Sequence, residues 1–177
     1  MRTEPILRLG GIRDLAKFKE HLRLLQLDIP CDLNLERGSD SPLRWPLDRG
    51  GVSISNRIAV QPMEGWDAEP DGTPSERTLR RWQRFGSSSA KLIWGGEAVA
   101  VSHEGRANPN QLVIASRTEA GIAKLRSVLI DEHRCRTGSD HGLLIGLQLT
   151  HSGRYCRPNF HNRGEPQDDV YRLRPHG

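Results

Sequence analysis

Three short apolar runs, separated by two amphipathic helical patterns, constrain the fold of this chain more than any other feature. The runs lie within residues 57–61, 91–94 and 143–149, and in each the apolar residues are consecutive rather than alternating with polar ones. Such blocks are typical of strands buried on both faces. Strands that alternate with helices form parallel sheets with right-handed crossovers. The pattern therefore predicts an α/β fold with a parallel sheet.

The helix between the first two runs has the clearest start signal in the chain. Thr73 is predicted to be its N-cap, with Pro74 at the first helical position and Glu76 closing a capping box. Gly86 is expected to end this helix. Three apolar side chains are predicted to face inward: Leu79, Trp82 and Phe85.

Three further elements are predicted by spacing. The second crossover helix starts at Thr118, turns apolar residues inward and closes near His133. Its inward residues are Ile122, Leu125 and Leu129. An amphipathic helix is predicted over residues 12–27, and a short hairpin over residues 41–55.

Polar residues follow each apolar run, at residues 61–66, 96–98 and 148–154. The carboxyl ends of parallel strands are where α/β folds bind ligands, so this edge of the sheet is the predicted site. No glycine-rich dinucleotide fingerprint follows the first run, which argues against a Rossmann fold. Three strand ends on one rim are typical of a (β/α) barrel, although a closed barrel needs eight such units.

Composition limits the function classes. The 177 residues suffice for one ordinary domain, and 26 basic against 22 acidic residues give a net charge of +4. The arginines are dispersed without a recognised module, so we expect no nucleic-acid partner. No leader or long apolar run is seen, and three cysteines have no paired spacing. A cytoplasmic protein with reduced thiols and no membrane contact is expected.

Four segments in this order and spacing resemble the old yellow enzyme family, the FMN-dependent NADH:flavin oxidoreductases that include ene-reductases and 2,4-dienoyl-CoA reductase. The segments are 56–63 (NRIAVQPM), 71–76 (DGTPSE), 96–106 (GEAVAVS with EGR) and 148–154 (QLTHSGR). The resemblance covers about residues 42–158. Residues 1–40 are not part of it.

The resemblance implies a partial TIM barrel, namely its first three βα units preceded by an N-terminal helix and hairpin. It also implies a cytoplasmic flavoprotein that passes hydride from NAD(P)H through FMN to an activated alkene or similar small-molecule acceptor. The implied FMN-binding residues are Gln61, Pro62, Met63, Glu64, Ala98 and Gln148. The implied substrate-binding residues are Trp66, His151 and Arg154. Catalytic residues stay unassigned.

Simpler interpretations of these residues remain open. Gln148 could be a satisfied amide inside a barrel, and Pro62 with Met63 could be only a strand stop. Trp66 could pack on the following helix, and the 151–154 segment could be a solvated loop. Glu64 departs from the Thr or Cys that many relatives carry there, which leaves the tuning of the flavin potential open.

A metal site is not predicted. His151, Cys156 and His161 recur every five residues, and this spacing matches neither a CxxC pair nor an HExxH helix.

The resemblance divides the chain into an N-terminal helical extension (1–40), the N-terminal portion of an FMN-binding barrel (41–158) and a disordered tail (159–177). The family's later strands, which carry its substrate-activating pair and phosphate loops, have no counterpart here. We therefore expect a truncated product, or one completed by a homo-oligomer or a complementing chain. The alternatives are a non-catalytic interaction module with a vestigial flavin surface, and another barrel enzyme that binds a phosphorylated metabolite.

Overall fold

The computed structural model describes residues 8–32 and 34–160. Contacts divide the chain into two units, Met1–Ser41 and Pro42–Gly177, and each is described by itself. No helix in the described part combines the length and apolarity needed to cross a bilayer. Most of the predicted disordered tail, and His161 of the rejected metal set, lie outside the described residues.

The described residues of the first unit form one α-helix, α1, at Leu15–Leu24. Asp14 caps it, because its carboxylate accepts a 2.8 Å hydrogen bond from the Lys17 backbone N–H. Leu22 is its buried side chain. The predicted helix is therefore present but shorter, and it stops just before Gln26, whose φ of 55° lies in the left-handed region.

A β-hairpin opens the second unit. Its strands, β1 (Leu47–Arg49) and β2 (Val52–Ile54), are antiparallel. Gly50 and Gly51 join them with φ of 59° and 79°, values that a type I′ turn requires and that glycine adopts without strain. The predicted hairpin is confirmed, with a shorter first strand than the sequence suggested.

The described residues of this unit also form a sheet of three parallel strands in the order β3, β4, β5. They are Ala59–Val60, Leu92–Ala100 and Leu144–Thr150. The predicted parallel α/β sheet is confirmed. The hairpin contacts its amino end, where the Ser55 N–H donates to the carbonyl of Gly142, just before β5.

The prediction that all three strands are buried on both faces is wrong for β3 and β5. Ala59 of β3 is exposed and Leu149 of β5 is 57% exposed, whereas Ile93 and Val99 of the central strand are fully buried. The reason is position, since β3 and β5 are the two edges of the sheet that the described residues form.

Two helices enclose the core against the sheet. They are α2 (Glu76–Ser87) and α3 (Glu119–Thr137). Trp82 of α2 and Leu125 and Leu129 of α3 are at most 1% exposed and pack with Ile93 and Val99 of β4. The other residues predicted to face inward pack on this cluster as well: Leu79, Phe85 and Ile122.

The start of α2 differs from the prediction. Ser75 is the N-cap, and it forms a capping box with Thr78 rather than with Glu76. Thr73 instead lies in a turn formed with Asp71, whose carboxylate accepts hydrogen bonds from the Thr73 N–H and hydroxyl.

The ends of both crossover helices also differ from the prediction. Gly86 lies inside α2, where a Cβ would overlap the Leu129 carbonyl of α3. It therefore allows the two helices to pack closely and does not end α2. The helix α3 runs one turn past His133 to Thr137. Gly138 then ends it at φ 80°, with its N–H donating to the Arg134 carbonyl.

Buried His133 makes stability depend on pH. Its side chain is fully buried at the α2–α3 contact, with Nδ1 bonded to the Gly86 carbonyl at 3.0 Å. Burial lowers the pKa of His133 below its ordinary value of 6.5. The unfolded chain therefore binds a proton first as pH falls. Stability due to neutral His133 should be complete above pH 6.5 and should decline below it, by at most about 1.4 kcal/mol per pH unit.

Urea unfolding of the full chain between pH 7.5 and pH 5 measures this decline. His133→Asn keeps a donor near the position of Nδ1 and does not titrate, so its slope should be shallower than that of the unmodified chain. His141→Asn, at an exposed position, is the matched control and should keep the original slope. Equal slopes for the unmodified chain and His133→Asn would contradict the assignment.

Candidate functional site

Loops from all three strand ends meet at the carboxyl end of the sheet. The Ala68 N–H donates to the Asn110 carbonyl at 3.0 Å, which joins the segment after β3 to the segment after β4. The Ser152 N–H donates to the Gly105 carbonyl at 2.8 Å, which joins the segment after β5 to the same place. The predicted site residues after the three strands are thus neighbours along one rim.

The segment after β3 presents exposed side chains at this rim. Met63 is 72% exposed and Trp66 67% exposed, and Gln61 is exposed as well. Pro62 and Glu64 are half-buried. The exposed indole contradicts the alternative in which Trp66 packs on the following helix.

Glu64 and Trp66 are held in one arrangement by hydrogen bonds. Carboxylate Oε2 of Glu64 accepts from the Trp66 indole Nε1–H and from the Asn108 amide, both at 3.3 Å. Asn108 is 2% exposed. A buried amide from the segment after β4 therefore fixes a carboxylate from the segment after β3.

Trp66 has φ 52°, in the left-handed region that a bulky residue seldom adopts. Such a conformation persists only where surrounding contacts impose it, and it is concentrated at binding and catalytic sites.

An ion cluster of Asp67, Arg81 and Glu97 lies beneath this segment. The Arg81 guanidinium donates to both oxygens of Asp67, at 2.7 and 3.0 Å, and also to Glu97. Burial raises the pKa of Glu97 even though Arg81 opposes the rise. Burial would also raise the pKa of Asp67, but the bonds and charge of Arg81 outweigh it and lower that pKa.

The sequence did not predict this ion cluster. Its members come from a loop, a helix and a strand, so only the fold brings them together. One signal was available, because Glu97 is an acidic residue directly before four apolar residues, Ala98 to Val101. A fully buried acid needs a charged partner, and Arg81 is that partner.

Ala98 and Gln148 face one another in register across β4 and β5. Ala98 is 5% exposed, and the Gln111 amide donates to its carbonyl at 2.9 Å and to the Thr150 hydroxyl at 3.0 Å. Gln148 is exposed.

The segment after β5 is structured by local contacts. The His151 ring lies on Gly105, where a Cβ would be 2.5 Å from ring atom Cδ2, and its Nδ1 accepts from the Gly153 N–H at 3.0 Å. The Arg154 guanidinium donates to the Tyr155 hydroxyl at 2.7 Å and stacks on its ring at 4.8 Å. Both side chains are exposed but held, which argues against a freely solvated loop.

Comparison with known proteins supports the resemblance seen in the sequence. No protein-family model matches the chain. It is 29% identical over 109 residues to an NADPH dehydrogenase of Geobacillus sp. (strain WCH70), a match that covers 59% of this chain and 28% of that protein.

Two solved structures share the fold and 27–29% of the aligned residues. The old yellow enzyme from Trypanosoma cruzi is 29% identical, with a TM-score of 0.50, over 65% of this chain and 28% of its own. Morphinone reductase in complex with tetrahydroNAD is 27% identical, with a TM-score of 0.50, over 64% of this chain and 28% of its own. The resemblance to the old yellow enzyme family is thus confirmed, and the chain spans little more than a quarter of the length of these relatives.

Proposed function

We propose that this chain forms one wall of the FMN site of an NAD(P)H-dependent oxidoreductase of the old yellow enzyme type, and that its three-stranded sheet is the first part of a TIM barrel. The observation that carries the proposal is the partly exposed segment 61–66 at the carboxyl end of a parallel sheet, where its Gly65 is bonded to Glu97, the residue before Ala98 of the Ala98–Gln148 pair. The similarity to an NADPH dehydrogenase supplies the reaction class.

The residues fit a flat, largely apolar ring with one polar edge. Pro62 and Met63 offer apolar contact along the ring, and Gln61 and Glu64 flank them. Ala98 is small enough for close approach. The exposed Gln148 amide can both donate and accept at the polar edge. Bound FMN would supply hydride transfer from the nicotinamide to an activated alkene or similar acceptor.

Trp66, His151 and Arg154 are proposed to face the substrate. The Trp66 indole projects from the rim with 67% of its surface exposed. Arg154 is bound to the Tyr155 hydroxyl, so a substrate anion would compete with that bond for the guanidinium. Glu64 places a carboxylate at the wall, and this charge opposes the negative charge that reduction adds to a flavin.

A non-catalytic interaction module with a vestigial flavin surface is the second candidate. It is favoured by the apolar side chains exposed on the described sheet, among them Leu149 at 57% and Leu144 at 36%. A complementing chain or a second copy would cover them. Flavin binding separates the two candidates, because only the enzyme needs a working FMN wall.

Titration of FMN into the purified chain, followed by flavin fluorescence, tests the proposal. We expect quenching at micromolar protein. Gln148→Ala should weaken binding about tenfold, the effect of one lost hydrogen bond to the ring. Gln83→Ala, at an exposed position on α2, is the matched control and should bind as the unmodified chain does.

If the unmodified chain does not quench FMN fluorescence, the proposed FMN site is contradicted. Quenching with equal affinity in Gln148→Ala would mean that the flavin lies elsewhere on the molecule.

A further inference from the structure

The ion cluster of Asp67, Arg81 and Glu97 does more than neutralise charge, because it also contacts the backbone of the segment above it. One oxygen of Glu97 pairs with Arg81. The other, Oε1, accepts a hydrogen bond from the Gly65 N–H at 2.8 Å. The Glu97 side chain is 2% exposed, so this bond is shielded from water.

Gly65 fits so closely on the cluster that no side chain can be added there. A Cβ on Gly65 would overlap the Arg81 guanidinium and come within 2.6 Å of the Asp67 carboxylate. The guanidinium has little freedom to retreat, since it is bound to two carboxylates at once. The backbone at Gly65 is therefore fixed from below by Glu97 and laterally by Arg81.

The fixed backbone at Gly65 affects the conformation of the next residue, Trp66. Trp66 lies in the left-handed region at φ 52°, and its indole N–H reaches Glu64. A tryptophan leaves that conformation unless neighbouring contacts hold it there. The contacts adjacent to it are the Gly65 bond to Glu97 on one side and the Asp67 bonds to Arg81 on the other.

We propose that Glu97 is a positioning residue, which holds Gly65 so that Glu64 and Trp66 are presented at the rim in the arrangement that binds the ligand. The assignment of Glu64 and Trp66 to a flavin and substrate site rests on the proposed function. The positioning itself does not, because it concerns only this chain's own atoms.

Glu97→Met tests the proposal, since methionine matches the length of the side chain and lacks an acceptor. Amide hydrogen exchange of Gly65, followed by NMR, should become at least about tenfold faster relative to the core amide of Ile93. The Trp66 indole N–H resonance, assigned by its loss in Trp66→Phe, should move towards the position of a solvated indole. FMN affinity should fall about tenfold as well.

Asp67→Asn is the matched control, because it weakens the same cluster without touching the Glu97–Gly65 bond. Gly65 exchange should then keep its ratio to Ile93. Gly65→Ala is the second variant and keeps Glu97 intact, but its methyl group cannot coexist with Arg81. It should reproduce the shift of the Trp66 indole resonance even if Glu97→Met fails to fold.

Unchanged Gly65 exchange in Glu97→Met, or an unchanged Trp66 resonance in Gly65→Ala, would overturn the positioning role. A uniform loss of stability without these local changes would show a structural role alone and would overturn it equally. If the unmodified chain binds no FMN, the proposed function fails, whereas the exchange and resonance measurements still decide the positioning role.

Discussion

Arg81→Met is expected to lower the free energy of unfolding by about 3 kcal/mol, since removing one partner of a buried ion pair leaves uncompensated charge. Asp67 and Glu97 would lose their common cation, and Glu97 is almost fully enclosed. The partial exposure of Asp67, 17% of its side chain, keeps the loss at the lower end of the usual range. Urea unfolding followed by circular dichroism measures it.

A matched variant and a double variant sharpen this prediction. Arg84→Met lies at an exposed position of the same helix and should cost less than about 0.5 kcal/mol. The double variant Arg81→Met, Glu97→Met removes the enclosed carboxylate together with the cation, so it should recover part of the loss. A loss below about 1 kcal/mol in Arg81→Met would show that the cluster does not stabilise the fold.

The sheet order and the inward helix faces could be predicted because they follow from local periodicity. Trp82 and Leu125 lie in the core, where the spacing placed them. Burial of individual strands could not be predicted in the same way. Ile58 belongs to as apolar a run as Ile93, yet it is 42% exposed because it lies directly before β3, an edge of the described sheet. Edge position depends on which strands are neighbours, and this information is not local.

The helix cap shows a second limit of local reasoning. Thr73 and Ser75 are both good N-cap residues two positions apart, and sequence preference does not separate them. Asp71 decides between them by binding the Thr73 hydroxyl and N–H. That competing turn leaves Ser75 to cap the helix.

The sequence predicted where the candidate site lies, but not which contacts hold its residues in place. Strand ends indicated residues 61–66, Ala98 and Gln148, and the fold brings these together at one rim. The bonds that hold the rim join residues far apart in sequence, such as Gly65 with Glu97 and Glu64 with Asn108. No local pattern encodes such pairs, although a lone acid directly before the apolar residues 98–101 was a usable sign.

Trp82→Ala is expected to lower the free energy of unfolding by about 4 kcal/mol, the usual loss when a buried aromatic side chain is truncated to alanine. Trp82 is 1% exposed and packs in the cluster that joins α2, α3 and the central strand. It also contacts Phe85, with ring centroids 6.5 Å apart. The helices cannot move closer together to fill the cavity left by Trp82→Ala, because Gly86 already brings α2 against the α3 backbone. Urea unfolding measures the loss.

Trp82→Phe separates packing from hydrogen bonding at this site. Within the part of the chain that the structure describes, the buried Nε1–H of Trp82 has no acceptor. Phenylalanine removes that unsatisfied donor along with some volume, so its cost should stay within about 1.5 kcal/mol. Trp45→Ala, at a position 48% exposed, should cost under about 1 kcal/mol. Similar losses for Trp82→Ala and Trp45→Ala would mean that α2 does not depend on this core.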